Sequence, residues 1–249
     1  MTSRILAISL ILLIGAGCTA IPKHRVNHEY IANPESRTPK KVVILPADIT
    51  VSEISAGGVT EEVPAWSNSA KTNVNNALKK FKQVDLDLTA LPKLEDTNQK
   101  IVDEHLALYD LVASNAAFLP RTPGGIWNHK ATHFDYTLGN GLKFLREKTG
   151  ADAALFVVGL DQISSAERQA AVVAAALFGV GIPLGVSFLS TGIIDLNSGD
   201  ILWLNYAVSI GNKDLRKPED AEAMVAELLE NFPGIEAYKE IKVSQANIK

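Results

Sequence analysis

Apolar and polar positions along the chain follow a pattern that predicts alternating strands and helices from about residue 41 onward. Residues 41–46 form a short β-branched run that ends in proline, which is typical of a buried strand. Apolar stripes with helical spacing predict helices over residues 67–82 and about 95–118. A third stripe runs from Leu138 to Leu145 and predicts a helix that Gly150 caps at its C-terminus.

The second half of the chain carries the clearest strand pattern. Residues 150–159 are typical of a helix end, a turn and an apolar strand. The runs 187–196 and 201–209 are joined by Asn-Ser-Gly-Asp, which predicts a hairpin. A last helix is expected from Pro218, with its buried face formed by Ala221, Met224, Val225, Leu228, Leu229 and Phe232.

Together these elements predict a single α/β domain over residues 41–235, with a mixed β-sheet flanked by helices in two or three layers. The strictly alternating residues 84–88 add a half-buried strand. Residues 236–249 are assigned to a C-terminal tail.

The first apolar run, ILLIGAGCTA at residues 11–20, fits two kinds of site. Its glycines match a dinucleotide-binding fingerprint, which requires a helix directly afterwards. Pro22 and the polar residues 23–28 show no helical stripe, and no acidic residue closes a second strand about 20 residues on. The dinucleotide interpretation is therefore rejected.

The alternative is a secretion signal with a lipid attachment site. Arg4 supplies a basic start, residues 5–14 an apolar core too short to span a bilayer, and residues 15–17 the small side chains that a signal peptidase requires. The run resembles the bacterial lipobox, although Gly15 stands where leucine is usual. The resemblance implies a signal peptide over residues 1–17 and lipidation of Cys18, which is the only cysteine of the chain.

Two further inferences depend on this anchor. Residues 18–40 are rich in polar residues and proline without an apolar stripe, which predicts a lipidated cysteine followed by a flexible tether. Thr19 rather than aspartate follows Cys18, which by resemblance to sorted lipoproteins favours the outer membrane. A cleaved signal that leaves Cys18 as a free thiol is the alternative.

Candidate catalytic chemistry is sparse. The formal net charge of −4 gives no reason to expect a nucleic-acid partner. The chain contains no nucleophile elbow and no phosphate-binding loop, so no catalytic residue and no cofactor is predicted. His129 and His133 are four residues apart and Asp135 is near, which leaves a metal-dependent enzyme as the rival hypothesis. A loop is expected there after Pro123, and no metal ligand is assigned.

Residues 170–189, AAVVAAALFGVGIPLGVSFL, contain no charge over twenty positions. Glycines and a proline interrupt the second half, and the run lies between two predicted strands of one domain, so an ordinary membrane span is disfavoured. Three possibilities remain: a buried or oligomer-facing helix and loop, insertion into a membrane in an assembled state, and a simple span. The run is the candidate surface for contacts with envelope proteins or with a second copy of the chain.

Three motifs carry a family resemblance: ILP at 44–46, TGADA at 149–153 and GIIDLNSGDILW at 192–203. In this order they resemble the periplasmic lipoproteins related to the curli secretion lipoprotein CsgG, the synthase activator LpoB and the N-terminal domain of TolB. The resemblance implies a non-enzymatic module that binds other envelope proteins or oligomerises. Combined with the lipidated Cys18 and Thr19, the expected location is the periplasmic face of the outer membrane. An oligomeric pore or secretion subunit is the alternative within the same group.

Overall fold

A computed structural model describes residues 24–82, 86–118, 129–230 and 232. The strands are β1 (Arg25–Val26), β2 (Lys41–Ile44), β3 (Asp48–Ile54), β4 (Thr60–Glu62), β5 (Asp87–Ala90), β6 (Ala153–Ser164), β7 (Gly185–Asp195) and β8 (Ile201–Ile210). The helices are α1 (His28–Ala32), α2 (Pro34–Arg37), α3 (Pro64–Lys80), α4 (Asp96–Phe118), α5 (His129–Thr132), α6 (Lys143–Thr149), α7 (Ala166–Ala176) and α8 (Pro218–Leu228), with a 3-10 turn at Asn140–Leu142 before α6.

All strands of the described chain belong to one mixed sheet. The order is β1-β8-β7-β6-β2-β5, in which β2 runs parallel to β5 and β6 while β6, β7 and β8 are antiparallel. Strand β3 continues along the far half of β6 in parallel, and β4 pairs with β3. The long strands β6, β7 and β8 therefore form the centre of the molecule.

Helices cover both faces of this sheet, so the domain has three layers. Alternate residues of β6 enter two separate cores: Leu155 and Val157 pack with α3 and α8, whereas Phe156 and Val158 pack with α4 and α6. This is the alternation that a strand imposes on successive side chains. The predicted α/β class with a mixed sheet and flanking helices is confirmed.

The predicted helices and the hairpin are found with small shifts of their ends. Gly150 ends α6 with a φ of +67°, a left-handed conformation that glycine adopts without strain. In the turn between β7 and β8, the Asp195 carboxylate accepts hydrogen bonds from the backbone N–H groups of Asn197 and Ser198 at 2.7 and 3.0 Å. The apolar face predicted for the last helix is buried in full.

Residues 24–40 differ from the flexible tether that their composition predicted. Arg25 and Val26 pair with Leu204 and Trp203 of β8, and Tyr30 is fully buried in the core beneath α8. The polar residues fasten the backbone locally, since Asn27 caps α1 by accepting from the N–H groups two and three residues ahead. Residues 24–40 are thus part of the domain. Residues 18–23 lie outside the described residues, as do the predicted signal peptide (1–17) and the predicted tail (236–249).

Candidate functional site

The segment between β6 and β7 projects from the domain, and residues 166–184 are called the arm below. Ser165 starts it: its backbone N–H donates to the Ile54 carbonyl at 2.9 Å, and its hydroxyl caps α7 by accepting from the Arg168 N–H at 3.2 Å. The arm returns at Leu184, whose carbonyl accepts from the Ser164 N–H at 3.1 Å. Both ends of the arm are therefore fixed to the sheet at one place.

No residue of α7 is buried, and the apolar side chains beyond it lie in solvent. Leu177 and Phe178 are 83% and 86% exposed, values that free surface residues have. The large apolar side chains exposed on the arm are Val173, Leu177, Phe178, Val180, Ile182 and Leu184. One possibility for the uncharged run 170–189 was burial by its own domain. The domain does not bury residues 170–184, whereas residues 185–189 belong to β7.

The sheet next to the arm is also apolar and uncovered on one face. Leu160, Phe188 and Val208 lie side by side on β6, β7 and β8. Val186 and Ile210 form a second row nearer the arm, and the polar Gln162 of β6 stands beside Val186 in that row. We call the five apolar side chains the open sheet face. Leu160, Val208 and Ile210 are exposed, and Phe188 stacks on Tyr206 with 6.1 Å between ring centroids.

Helix α4 explains why only half of this sheet face is covered. The helix crosses the strands at Tyr109, whose ring lies on Gly192 where an added Cβ would approach within 2.7 Å, and whose hydroxyl meets the Ser190 hydroxyl at 3.2 Å. Burial raises the pKa of Tyr109 far above its usual range, so the phenol stays neutral. Beyond Val158 no described helix packs on this face. The open sheet face and the arm thus form one apolar surface at one end of the sheet.

The opposite face of the same strands is held by a buried carboxylate. Asp161 accepts hydrogen bonds from the Ser187 hydroxyl and the Leu215 backbone N–H, each at 2.8 Å. Burial raises the pKa of Asp161, although both hydrogen bonds oppose this shift. These hydrogen bonds join β6, β7 and the loop before α8. They therefore help to position the strands that carry the apolar surface on the other face of the sheet.

The predicted histidine pair lies elsewhere. His129 begins the short helix α5, where a loop was expected, and His133 follows it with its Nε2 atom 3.6 Å from an Asp135 carboxylate oxygen. Lys130 forms an ion pair with Asp135 and, against partial burial, lowers the pKa of that carboxyl group. Within the described residues no group of three or more His, Cys, Asp or Glu side chains is arranged to hold a metal ion.

An open groove of 1080 Å³ lies between α3 and the carboxyl ends of β2 and β5, at a place that no sequence motif predicts. Leu88 and Phe81 contribute apolar surface, while Asn76 and Lys79 contribute polar groups. Among the described residues its lining holds one carboxylate, Asp87, and neither serine, cysteine nor histidine.

Among the described residues no helix is both long enough and apolar enough to cross a bilayer. No protein-family model matches the chain, and no curated protein matches it. Cys18, the predicted lipidation site, lies outside the described residues.

Comparison with solved structures gives weak similarities. They include the PelC dodecamer from Paraburkholderia phytofirmans, with 13% identity, a TM-score of 0.32, and 76% of this chain and 84% of that chain covered. The C-terminal domain of LpoB from Salmonella enterica has 13% identity, a TM-score of 0.25 and coverage of 74% and 95%. Lipoprotein GNA1162 from Neisseria meningitidis has 11% identity, a TM-score of 0.29 and coverage of 78% and 95%. At these scores the similarities assign neither family nor activity.

Proposed function

We propose that this chain is a lipid-anchored protein of the bacterial outer membrane that faces the periplasm and acts by binding, without an enzymatic step. Its lipid anchor is Cys18, exposed after removal of residues 1–17. Its protein-binding surface is the open sheet face, and the role is the assembly of an envelope complex from copies of the chain or other envelope proteins.

The observation that carries this proposal is the continuous apolar surface of the open sheet face and the arm. A monomeric protein in water rarely exposes apolar area of this kind, because covering it releases about 25 cal/mol per Å². On the opposite face, Asp161 of β6 binds Ser187 of β7 and Leu215 of the loop before α8. An apolar face carried by paired strands is already ordered before it binds, which favours association.

The binding role is tested by Val208→Asp in the full-length protein, extracted from membranes and examined by sedimentation and by cross-linking in cells. Because an unpaired charge in a dry interface costs several kcal/mol, the substitution is expected to remove the assembly and its cross-links. Leu111→Asp is the matched control, since Leu111 is 65% exposed on α4 away from the open sheet face. Assembly that survives Val208→Asp, or that Leu111→Asp removes equally well, would contradict the proposal.

The anchor is tested by Cys18→Ser. Since the thiol accepts the lipid before the signal is cut, the variant is expected to accumulate as an unacylated precursor that retains residues 1–17. Intact-protein mass spectrometry and membrane fractionation measure this directly. Normal cleavage and outer-membrane location of the serine variant would remove the lipoprotein assignment.

A further inference from the structure

The chain enters the domain from the end of the sheet at which the arm projects. Strand β1 runs antiparallel to β8, with Arg25 opposite Leu204, and β8 continues from there to Ile210. Ile210 pairs with Val186 beside the base of the arm. The N-terminal end of β1 therefore points toward the arm.

The length of chain before β1 limits how far the anchor lies from this end. His24 is six positions after Cys18, and a fully extended chain over six positions spans about 20 Å. Ile210 is six positions after Leu204 in β8, and the strand rises by about the same distance between them. A bilayer that holds acyl chains on Cys18 is thus within reach of the arm.

The tip of the arm has the chemistry of a membrane-inserting loop. Residues 177–184 carry no charge, and Leu177, Phe178 and Val180 are all at least half exposed. Helix α7 has 11 residues and a length of about 16 Å, against a hydrocarbon thickness of about 30 Å, so the arm does not span a bilayer. Its dimensions suit shallow burial at the depth of the headgroups and the first acyl carbons.

Charges near the arm define how it would bind. The neighbouring hairpin of β3 and β4 carries Glu53, Glu61 and Glu62, and the first turn of α7 carries Glu167 together with one base, Arg168. Acids outnumber the single base at the foot of the arm, and the tip is uncharged, so contact with lipid depends on the apolar tip and is expected to be insensitive to salt. A second copy of the chain would also cover apolar residues, but the arm and the entry of the anchored chain share one end of the sheet, which favours lipid.

From this geometry we propose that the tip of the arm, residues 177–184, inserts into the same lipid leaflet that holds the anchor. The proposal rests on the proposed function because it takes Cys18 as acylated. Lipid anchor and arm then give two contacts with one membrane, which fix the orientation of the domain. The open sheet face is held at a set height above the bilayer, where it meets its protein partner.

The test uses the full-length acylated protein in phosphatidylcholine vesicles. Because Cys18 is the only cysteine, Phe178→Cys introduces a single free thiol for an environment-sensitive fluorophore. Leu111→Cys is the matched control on α4. Brominated acyl chains are expected to quench the label at residue 178 several-fold more than the label at residue 111, equally at low and high salt.

Two results would overturn the insertion. A label at residue 178 that stays in water, with the protein anchored, would place the arm outside the bilayer. The label at residue 178 could instead be shielded from water but not quenched by brominated lipid, and become exposed to water when the protein is diluted. That result would show that the arm binds a second copy of the chain.

Mass spectrometry of the peptide that contains Cys18, from the same sample, distinguishes a failure of this inference from a failure of the proposed function. If the cysteine carries no acyl chain, the proposed anchor fails, and flotation of that unacylated chain with vesicles measures the arm alone. Loss of flotation on Leu177→Glu with Phe178→Glu would still support insertion. Flotation that the double substitution leaves unchanged would refute it.

Discussion

Single residues determine which part of the sheet face α4 covers and how the strands that carry the open sheet face are joined. Gly192 leaves room for the Tyr109 ring, which places α4 on one half of the sheet face. Asp161 fastens the other half from behind, through Ser187 and Leu215. The sequence alone identified neither role, because an aspartate in a strand and a glycine in a hairpin have many uses until their neighbours are known. These contacts connect residues 26 to 83 positions apart in the chain.

Asp161 predicts a specific dependence of stability on pH. Burial raises its pKa in the folded protein, so between the ordinary value of about 4 and the raised value the folded state binds a proton that the unfolded state has lost. The contribution of Asp161 is therefore most favourable at low pH and falls as pH rises through this window. Asp161→Asn, which cannot ionise, is expected to gain free energy of unfolding relative to wild type as pH increases.

Denaturant unfolding of the two proteins at several pH values measures this difference. Asp87→Asn removes an exposed carboxylate and is the control for general changes in charge. A difference between wild type and Asp161→Asn that stays flat, or that shrinks with rising pH, would show that the buried carboxyl group does not bind the proton.

At the scale of elements, the sequence was most informative where one side of a helix or strand meets the core. Helices α3, α4 and α8 were predicted because their apolar stripes are the residues that pack on the sheet. Strands β3 and β4 were missed, since Asp48–Ile54 mixes polar and apolar side chains and Thr60–Glu62 is wholly exposed. Parallel pairing of β3 with the far half of β6 is set by tertiary contacts that no local pattern encodes.

The arm is the part of the candidate site that the sequence predicts least completely. An uncharged run of twenty residues indicates that apolar surface must be covered, but composition does not tell whether the domain, a partner or lipid covers it. The structure separates the run into an exposed arm and a paired strand. The exposed apolar residues on β6 and β8 were not predicted either, because large apolar residues in a strand are usually buried.

Val180→Asp in the arm is expected to leave the fold intact. Val180 is half exposed and packs in neither core, so the change in free energy of unfolding should stay within about 0.5 kcal/mol, as for other surface substitutions. Val157→Asp, at a fully buried position of β6, places an unpaired charge in the core and should cost several kcal/mol. Thermal unfolding compares the two variants. A large drop in melting temperature for Val180→Asp would mean that the arm packs on its own domain.

At the scale of the whole molecule, residues 24–40 are part of the folded domain rather than a loose linker. Strand β1 extends the sheet beyond β8, and Asn27 donates its backbone N–H to the Leu202 carbonyl at 2.8 Å. The Arg37 guanidinium lies 2.8 Å from Glu29 and 3.3 Å from Asp200, so the segment also closes over the β7–β8 turn. Under the proposed anchoring at Cys18, only residues 19–23 separate the lipid from the first described residue of the domain.

The domain boundary can be tested by shortening the chain. A protein that begins at His24 retains β1, α1 and α2 and is expected to unfold at the same denaturant concentration as the mature chain. A protein that begins at Lys41 loses the buried side chains of Val26, Tyr30 and Ile31, each worth about 1.5–3 kcal/mol. Against a total stability of about 5–15 kcal/mol, that loss should leave the shorter protein largely unfolded or aggregated. Circular dichroism and denaturant unfolding of the two shortened proteins test where the domain begins. If the protein that begins at Lys41 is as stable as the protein that begins at His24, residues 24–40 do not contribute to folding and the domain begins at β2.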